Sequence, residues 1–214
     1  MEFDNDLVVG KLRRWEKYLA AYRLPAWEQI PDLGLYMEQV VLLLRQYLDY
    51  LPPELKQPEP ITAAAINNYV RLKVMPAPEK RKYYRVHIAF LIMIFTLKQG
   101  ISINGLQQLL PSTANEEEIK SFYTGYIAQL QEVGNFYTAQ TRAAVQGILD
   151  PQAADDGAVE NVIIQSILQS GFSRIMAEKL LHLQNADPER VMELEKVSDS
   201  RGRHPLVQIP EKED

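Results

Sequence analysis

Between residues 62 and 85 the chain collects side chains that can address phosphate oxygens and base edges together. Lys80-Arg81-Lys82-Tyr83-Tyr84-Arg85 places four cations and two phenols in six consecutive positions. These are point charges and hydroxyls of the kind that meet a nucleic-acid backbone. Upstream, Asn67 and Asn68 carry amides that donate and accept at once, the chemistry that pairs with an adenine edge. Arg71 and Lys73 follow one turn later, within reach of phosphates, and Thr62 precedes them as a helix N-cap. Two plainer readings stay open: a basic run is commonly a solvated loop, and an asparagine pair commonly the polar face of a helix. Tyr69 shares a face with Ile66 and belongs to the core, and one of Tyr83 and Tyr84 is expected to pack inward.

The whole chain, 214 residues with 23 basic and 28 acidic side chains, has a formal charge of −5. That average conceals an island. Residues 61–110 hold seven basic side chains and one acidic, a net of +6, between flanks of −3 (1–60) and −8 (111–214). Whole-chain charge governs solubility and does not describe a local patch.

Several chemistries are excluded by residue type. Without cysteine there is no disulfide, thiolate nucleophile, iron–sulfur cluster or cysteine-bound zinc. His87, His182 and His204 are scattered, and no H-E-x-x-H string, G-x-S-x-G elbow or phosphate-cradling glycine loop occurs. Asp155-Asp156 reads as a turn, and Glu116-Glu117-Glu118 as charge favouring a helix N-terminus. The expectation is a protein that is not an enzyme and needs no cofactor or metal. The longest strongly apolar run, Ile88 to Phe95, is too short to span a bilayer. Met1-Glu2-Phe3-Asp4 has no basic-then-apolar leader pattern. A cytoplasmic protein without a membrane partner is expected.

The elements that must position these residues are helical. Apolar spacing predicts helices over 4–22, 35–51, 62–72, 86–99 and 102–110, with a proline-rich connector from Pro52 to Pro60 and a Pro76-Ala77-Pro78 turn. From Ile119 through Tyr123, Tyr126, Leu130, Val133, Tyr137 and Gln140 to Ala144 the spacing alternates four and three. This heptad-like seam suits either an intrachain face or a two-chain one. Gly134-Asn135 allows a break in it. A turn at Pro151–Gly157 leads to a helix pair over 158–169 and 173–184, and a polar tail from Ser198 is expected to be disordered. The back-half aromatics Phe122, Tyr123, Tyr126, Phe136, Tyr137 and Phe172 suit helical core, or else an effector pocket for an unknown small molecule.

Four strings then fall in a recognisable order. They are Ala65-Ile66-Asn67-Asn68-Tyr69-Val70-Arg71-Leu72-Lys73-Val74-Met75-Pro76, the basic run 80–85, His87-Ile88-Ala89-Phe90-Leu91, and Gly100-Ile101-Ser102-Ile103-Asn104-Gly105-Leu106. Together they resemble the winged helix-turn-helix of MerR-type regulators over about fifty residues. The L-Y-M-E-Q-V and I-N-N-Y-V strings resemble, more closely, an uncharacterised bacterial family with a MerR-like front half and a helical back half.

The resemblance implies an all-α fold: a winged helix-turn-helix with a short wing, plus a helical C-terminal region. Its domains would be 1–111 (DNA-binding core 35–110), 112–197 for dimerisation or effector binding, and the tail 198–214. It implies a transcription regulator whose partner is double-stranded DNA. Helix 62–73 would enter the major groove, the wing 79–85 would lie on the backbone, and residues 116–149 would form a homodimer. The contact set is Thr62, Asn67, Asn68, Arg71, Lys73, Lys80, Arg81, Lys82, Tyr83, Tyr84 and Arg85. Asn67-Asn68 replaces the arginine and tyrosine of the MerR pattern, Lys73 replaces its helix-closing glycine, and the wing lacks an Asn-Gly turn. The competing reading is a non-enzymatic protein-interaction module that keeps the fold without binding DNA.

Overall fold

The computed structural model describes residues 3–49, 59–149 and 157–184. Among these residues the chain is all-helical, with seven α-helices and no strand. They are α1 (Asn5–Ala21), α2 (Met37–Tyr47), α3 (Ala63–Arg71), α4 (Arg85–Leu97), α5 (Ile103–Leu109), α6 (Glu116–Leu149) and α7 (Ala158–His182). One 3-10 turn, Trp27–Gln29, lies between α1 and α2. Most of the proline-rich connector, the turn expected from Pro151 and the tail from Ser198 lie outside the described residues.

α4 sets the architecture. Every residue from His87 to Phe95 is buried, and a helix apolar on all sides has to be central. α2 contributes Val40 and Leu44 to the same core, α3 Ile66 and Tyr69, α5 Leu106, and the start of α6 Ile119 and Tyr123. Tyr69 meets Phe95 edge-on with ring centroids 5.6 Å apart. The segment before α2 closes one side through Leu24, Trp27, Ile30 and Leu35. It is fastened to α6 by the Lys120–Glu28 ion pair at 3.1 Å and by the Tyr123 hydroxyl, which donates to the Pro25 carbonyl at 2.8 Å. Burial holds that phenol well above the ordinary tyrosine range. The core therefore includes the first turns of α6, beyond residue 112.

α1 lies along the far half of α6. Glu16 accepts from Arg142 Nε at 2.9 Å and Nη2 at 2.7 Å. A small second cluster (Val9, Val145, Ile148 and Val159) joins α1, α6 and α7. Two interruptions, one allowed at Gly134-Asn135 and one expected between 169 and 173, are absent. α6 runs unbroken through Gly134, and α7 is one helix rather than the pair 158–169 and 173–184. A mid-helix glycine costs about 1 kcal/mol relative to alanine, too little on its own to break a helix. The seam predicted on α6 is also divided. Of its residues, Ile119 and Tyr123 are buried, Tyr126, Leu130, Gln140 and Ala144 are half-buried, and Val133 and Tyr137 are exposed. No described helix is long and apolar enough to cross a membrane.

Candidate nucleic-acid interface

α3 begins at Thr62, whose hydroxyl accepts from the Ala65 N–H at 3.1 Å. That bond satisfies one of the free donors of the first turn, so Thr62 serves as the cap. Ile66 and Tyr69 face the core, while Asn67 and Arg71 are exposed. Asn68 is half-buried, and its Oδ1 accepts from Arg71 Nη2 at 2.7 Å.

The helix closes through Lys73, at φ 55°. The Lys73 N–H donates to the Val70 carbonyl and the Val74 N–H to the Tyr69 carbonyl, both at 3.0 Å. This is the Schellman closure that glycine ordinarily makes, built here with an exposed cation. α5 braces it from the side, where the Gln107 amide donates to the Leu72 carbonyl.

The basic run forms a tight hairpin turn. The Lys82 N–H donates to the Glu79 carbonyl at 2.8 Å, and the Glu79 N–H returns the bond at 3.1 Å. The two residues between them, Lys80 and Arg81, have φ of 48° and 65°. Two consecutive left-handed residues define a type I′ turn, whose usual occupants are Asn-Gly. The base of the turn is pinned by a second exchange, Tyr83 with Leu35, with both bonds at 2.9 Å. Tyr83 is buried, so of the two tyrosines it is the one that packs inward. Burial raises its phenol as well.

The rest of the run is committed to varying degrees. Arg85 donates through Nε to the Ile30 carbonyl at 3.0 Å. Its Nη1 lies 3.6 Å from Asp32, and its guanidinium sits 5.9 Å from the centre of the Trp27 ring. Its charge is thus engaged inside the chain. Lys82 lays its ammonium 5.6 Å from the centre of the Tyr36 ring. The Lys82 stem runs so close to Gly34 that a Cβ there would fall 2.7 Å from Lys82 Cδ and 3.2 Å from Tyr84 Cζ.

His87 has a role that sequence reasoning misses. Its Nδ1 accepts from the Tyr84 N–H at 3.0 Å, so Nε2 carries the proton and donates to the Ala77 carbonyl at 3.0 Å. One buried imidazole therefore ties both sides of the basic turn to α4. The signal available in the sequence is its place three residues after the N-cap Tyr84, where a side chain can reach back to the cap amide.

Of the predicted contact residues, Asn67, Arg71, Lys73, Lys80 and Arg81 are exposed. Asn68, Lys82 and Tyr84 are half-buried, while Thr62, Tyr83 and Arg85 serve the fold in the ways just described. The back-half aromatics divide in the same way. Tyr123 is core, with Phe122 and Tyr126 against it, and Phe136 and Phe172 are exposed. Tyr137 lines a cleft of about 690 Å³ shared by α1, α4 and α6, whose walls include Trp15, Tyr22, Arg23 and Leu130. Among the described residues, no three His, Asp or Glu side chains are grouped so as to hold a metal ion.

No curated protein and no solved structure matches the chain. Residues 25–126 match the model of a domain family of unknown function, DUF1836, a stretch that coincides with the main core running from Leu24 to Tyr123.

Proposed function

We propose that this chain is a cytoplasmic DNA-binding regulator of transcription, a short-winged helix-turn-helix protein of MerR-like design. α3 lies in the major groove with Asn67 toward base edges. Arg71 and Lys73 meet phosphates at its C-terminal end, and the hairpin tip reaches the neighbouring backbone. The observation that carries this reading is the Lys80-Arg81 turn. Two adjacent non-glycine residues at positive φ cost about 1–2 kcal/mol each, and such strain is concentrated at functional sites. A turn that needed only to reverse the chain would be better made by Asn-Gly. The cations here stand at the tip, exposed, and are held from behind by Tyr83 and His87. The acidic back half keeps the rest of the surface away from a polyanion.

Selection of bound duplexes from a random pool at two salt concentrations tests this reading. Recovery of a related set of sites is expected, with palindromic spacing if two copies bind. A Lys80→Ala, Arg81→Ala, Lys82→Ala triple variant should bind them more weakly. Equal affinity of the triple variant and the wild type would overturn the reading, and indifference to duplex at low salt would leave the interaction-module alternative.

A further inference from the structure

α7 is a 25-residue helix with little to lean on for its length. Helices in proteins draw most of their stability from packing an apolar face. α7 is attached near its two ends, by Val159 in the cluster with Val9, Val145 and Ile148 and by Leu181 beside Gly105. Between those points most of its large apolar side chains face outward. Ile164, Leu168, Phe172, Met176 and Leu180 form one row at four-residue spacing, each between 54% and 69% exposed. The neighbouring row reads Ile163, Ile167, Gly171, Ile175. A Cβ built on Gly171 would meet nothing within 4 Å beyond its chain neighbours, so the second row carries an open notch at the position that precedes Phe172. No ionisable side chain occurs from Asn161 to Ser173.

We propose that this face of α7 is the interface between two copies of the chain, crossing at Gly171, with Phe172 of each copy seated in the notch over Gly171 of the other. Three features select a second copy. A two-fold contact must be self-complementary, and here the notch and the knob are consecutive exposed residues near the middle of the same apolar stretch. The outward apolar side chains of α7 expose on the order of 1,000 Å², and a standard interface needs roughly 800 Å² from each partner. Rows at four-residue spacing on both helices interlock at a crossing angle of about −50°, where a glycine at the crossing allows close approach. The surface lies outside the 25–126 domain and does not depend on whether the protein binds DNA.

Sedimentation of the full chain over roughly 1–100 μM, the range that detects a micromolar dimer, is expected to show a species of twice the 24.5 kDa chain mass. Phe172→Glu should weaken the dimer by at least about 100-fold, because two charges would be buried unpaired. Gly171→Leu should weaken it similarly by filling the notch. Leucine favours helix over glycine, so a monomeric Gly171→Leu variant cannot be ascribed to unfolding. The cysteine-free background allows a direct check. Gly171→Cys should cross-link into a disulfide dimer, and Leu42→Cys, on α2 and 61% exposed in the wild type, should not. A wild type that stays monomeric at all concentrations would overturn the proposal, whether another segment or another protein covers α7. So would a dimer indifferent to both α7 substitutions, or cross-linking at Leu42 equal to that at Gly171.

Discussion

Replacing the hairpin tip with its ordinary occupants, Lys80→Asn with Arg81→Gly, separates the fold from the proposed function. Both positions sit at positive φ, where a residue with a Cβ is strained by about 1–2 kcal/mol. Asparagine tolerates that region better than lysine, and glycine removes the penalty at its position. Against this, glycine costs about 0.5–1 kcal/mol through the freedom it adds to the unfolded chain. The net expectation is a stabilisation of about 1 kcal/mol, or a Tm higher by about 2–4 °C for a chain of this size. The same double change removes two exposed cations. On duplex DNA the slope of log K against log salt should therefore become shallower by about 1.8, at roughly 0.9 for each phosphate no longer neutralised. Thermal melting and fluorescence anisotropy between about 50 and 200 mM salt read the two effects. Lys80→Ala with Arg81→Ala should flatten the slope equally without raising Tm. A stabilised variant with an unchanged slope would refute the tip as a phosphate contact, and a lowered Tm would refute the turn geometry itself.

Substitutions behind the turn and beneath the core have their own expected outcomes. His87→Ala removes both bonds that hold the turn to α4, and the buried groups left unpaired should cost about 2–4 kcal/mol in urea unfolding. Gly34→Ala forces Lys82 and Tyr84 aside; a destabilisation of about 1–3 kcal/mol is expected, with proton NMR showing the Tyr36 and Tyr84 rings displaced. Tyr123→Phe abolishes the bond to the Pro25 carbonyl and should cost about 1 kcal/mol or more at neutral pH. Burial raises the Tyr123 phenol above its ordinary value of 10.0, so the unfolded chain ionises first. The associated stability is complete below about pH 10 and disappears as pH rises beyond it. The fall in urea midpoint between neutral and strongly alkaline pH should therefore be larger for wild type than for Tyr123→Phe.

The helices around α4 were legible because their apolar spacing is strong and prolines or caps bound them. Thr62 caps as its position foretells, and at the start of α5 the Ser102 hydroxyl likewise accepts from the Gly105 N–H at 3.1 Å. What the sequence hid was conformation without a compositional signal. Lysine and arginine do not announce positive φ, so neither the Schellman closure at Lys73 nor the type I′ turn at Lys80-Arg81 could be read from residue type. Arg85 looks like one more cation of the run, and only the approach of Ile30 and Asp32, more than fifty residues upstream in sequence, gives it another task. Gly134 and Gly171 mislead in the opposite direction: glycine permits a helix break, but a break also needs something that stabilises it. The unsupported face of α7 was concealed because an amphipathic row reads the same whether its partner is in the same chain or another.

If the exposed cations of α3 and the hairpin bind duplex phosphates, the salt dependence of duplex binding by the wild-type chain reads that binding most directly. With Arg71, Lys73, Lys80 and Arg81 all exposed, log K should fall against log salt with a slope of about −3 to −4. Absence of binding at about 50 mM salt, or affinity that does not change with salt, would contradict the assignment.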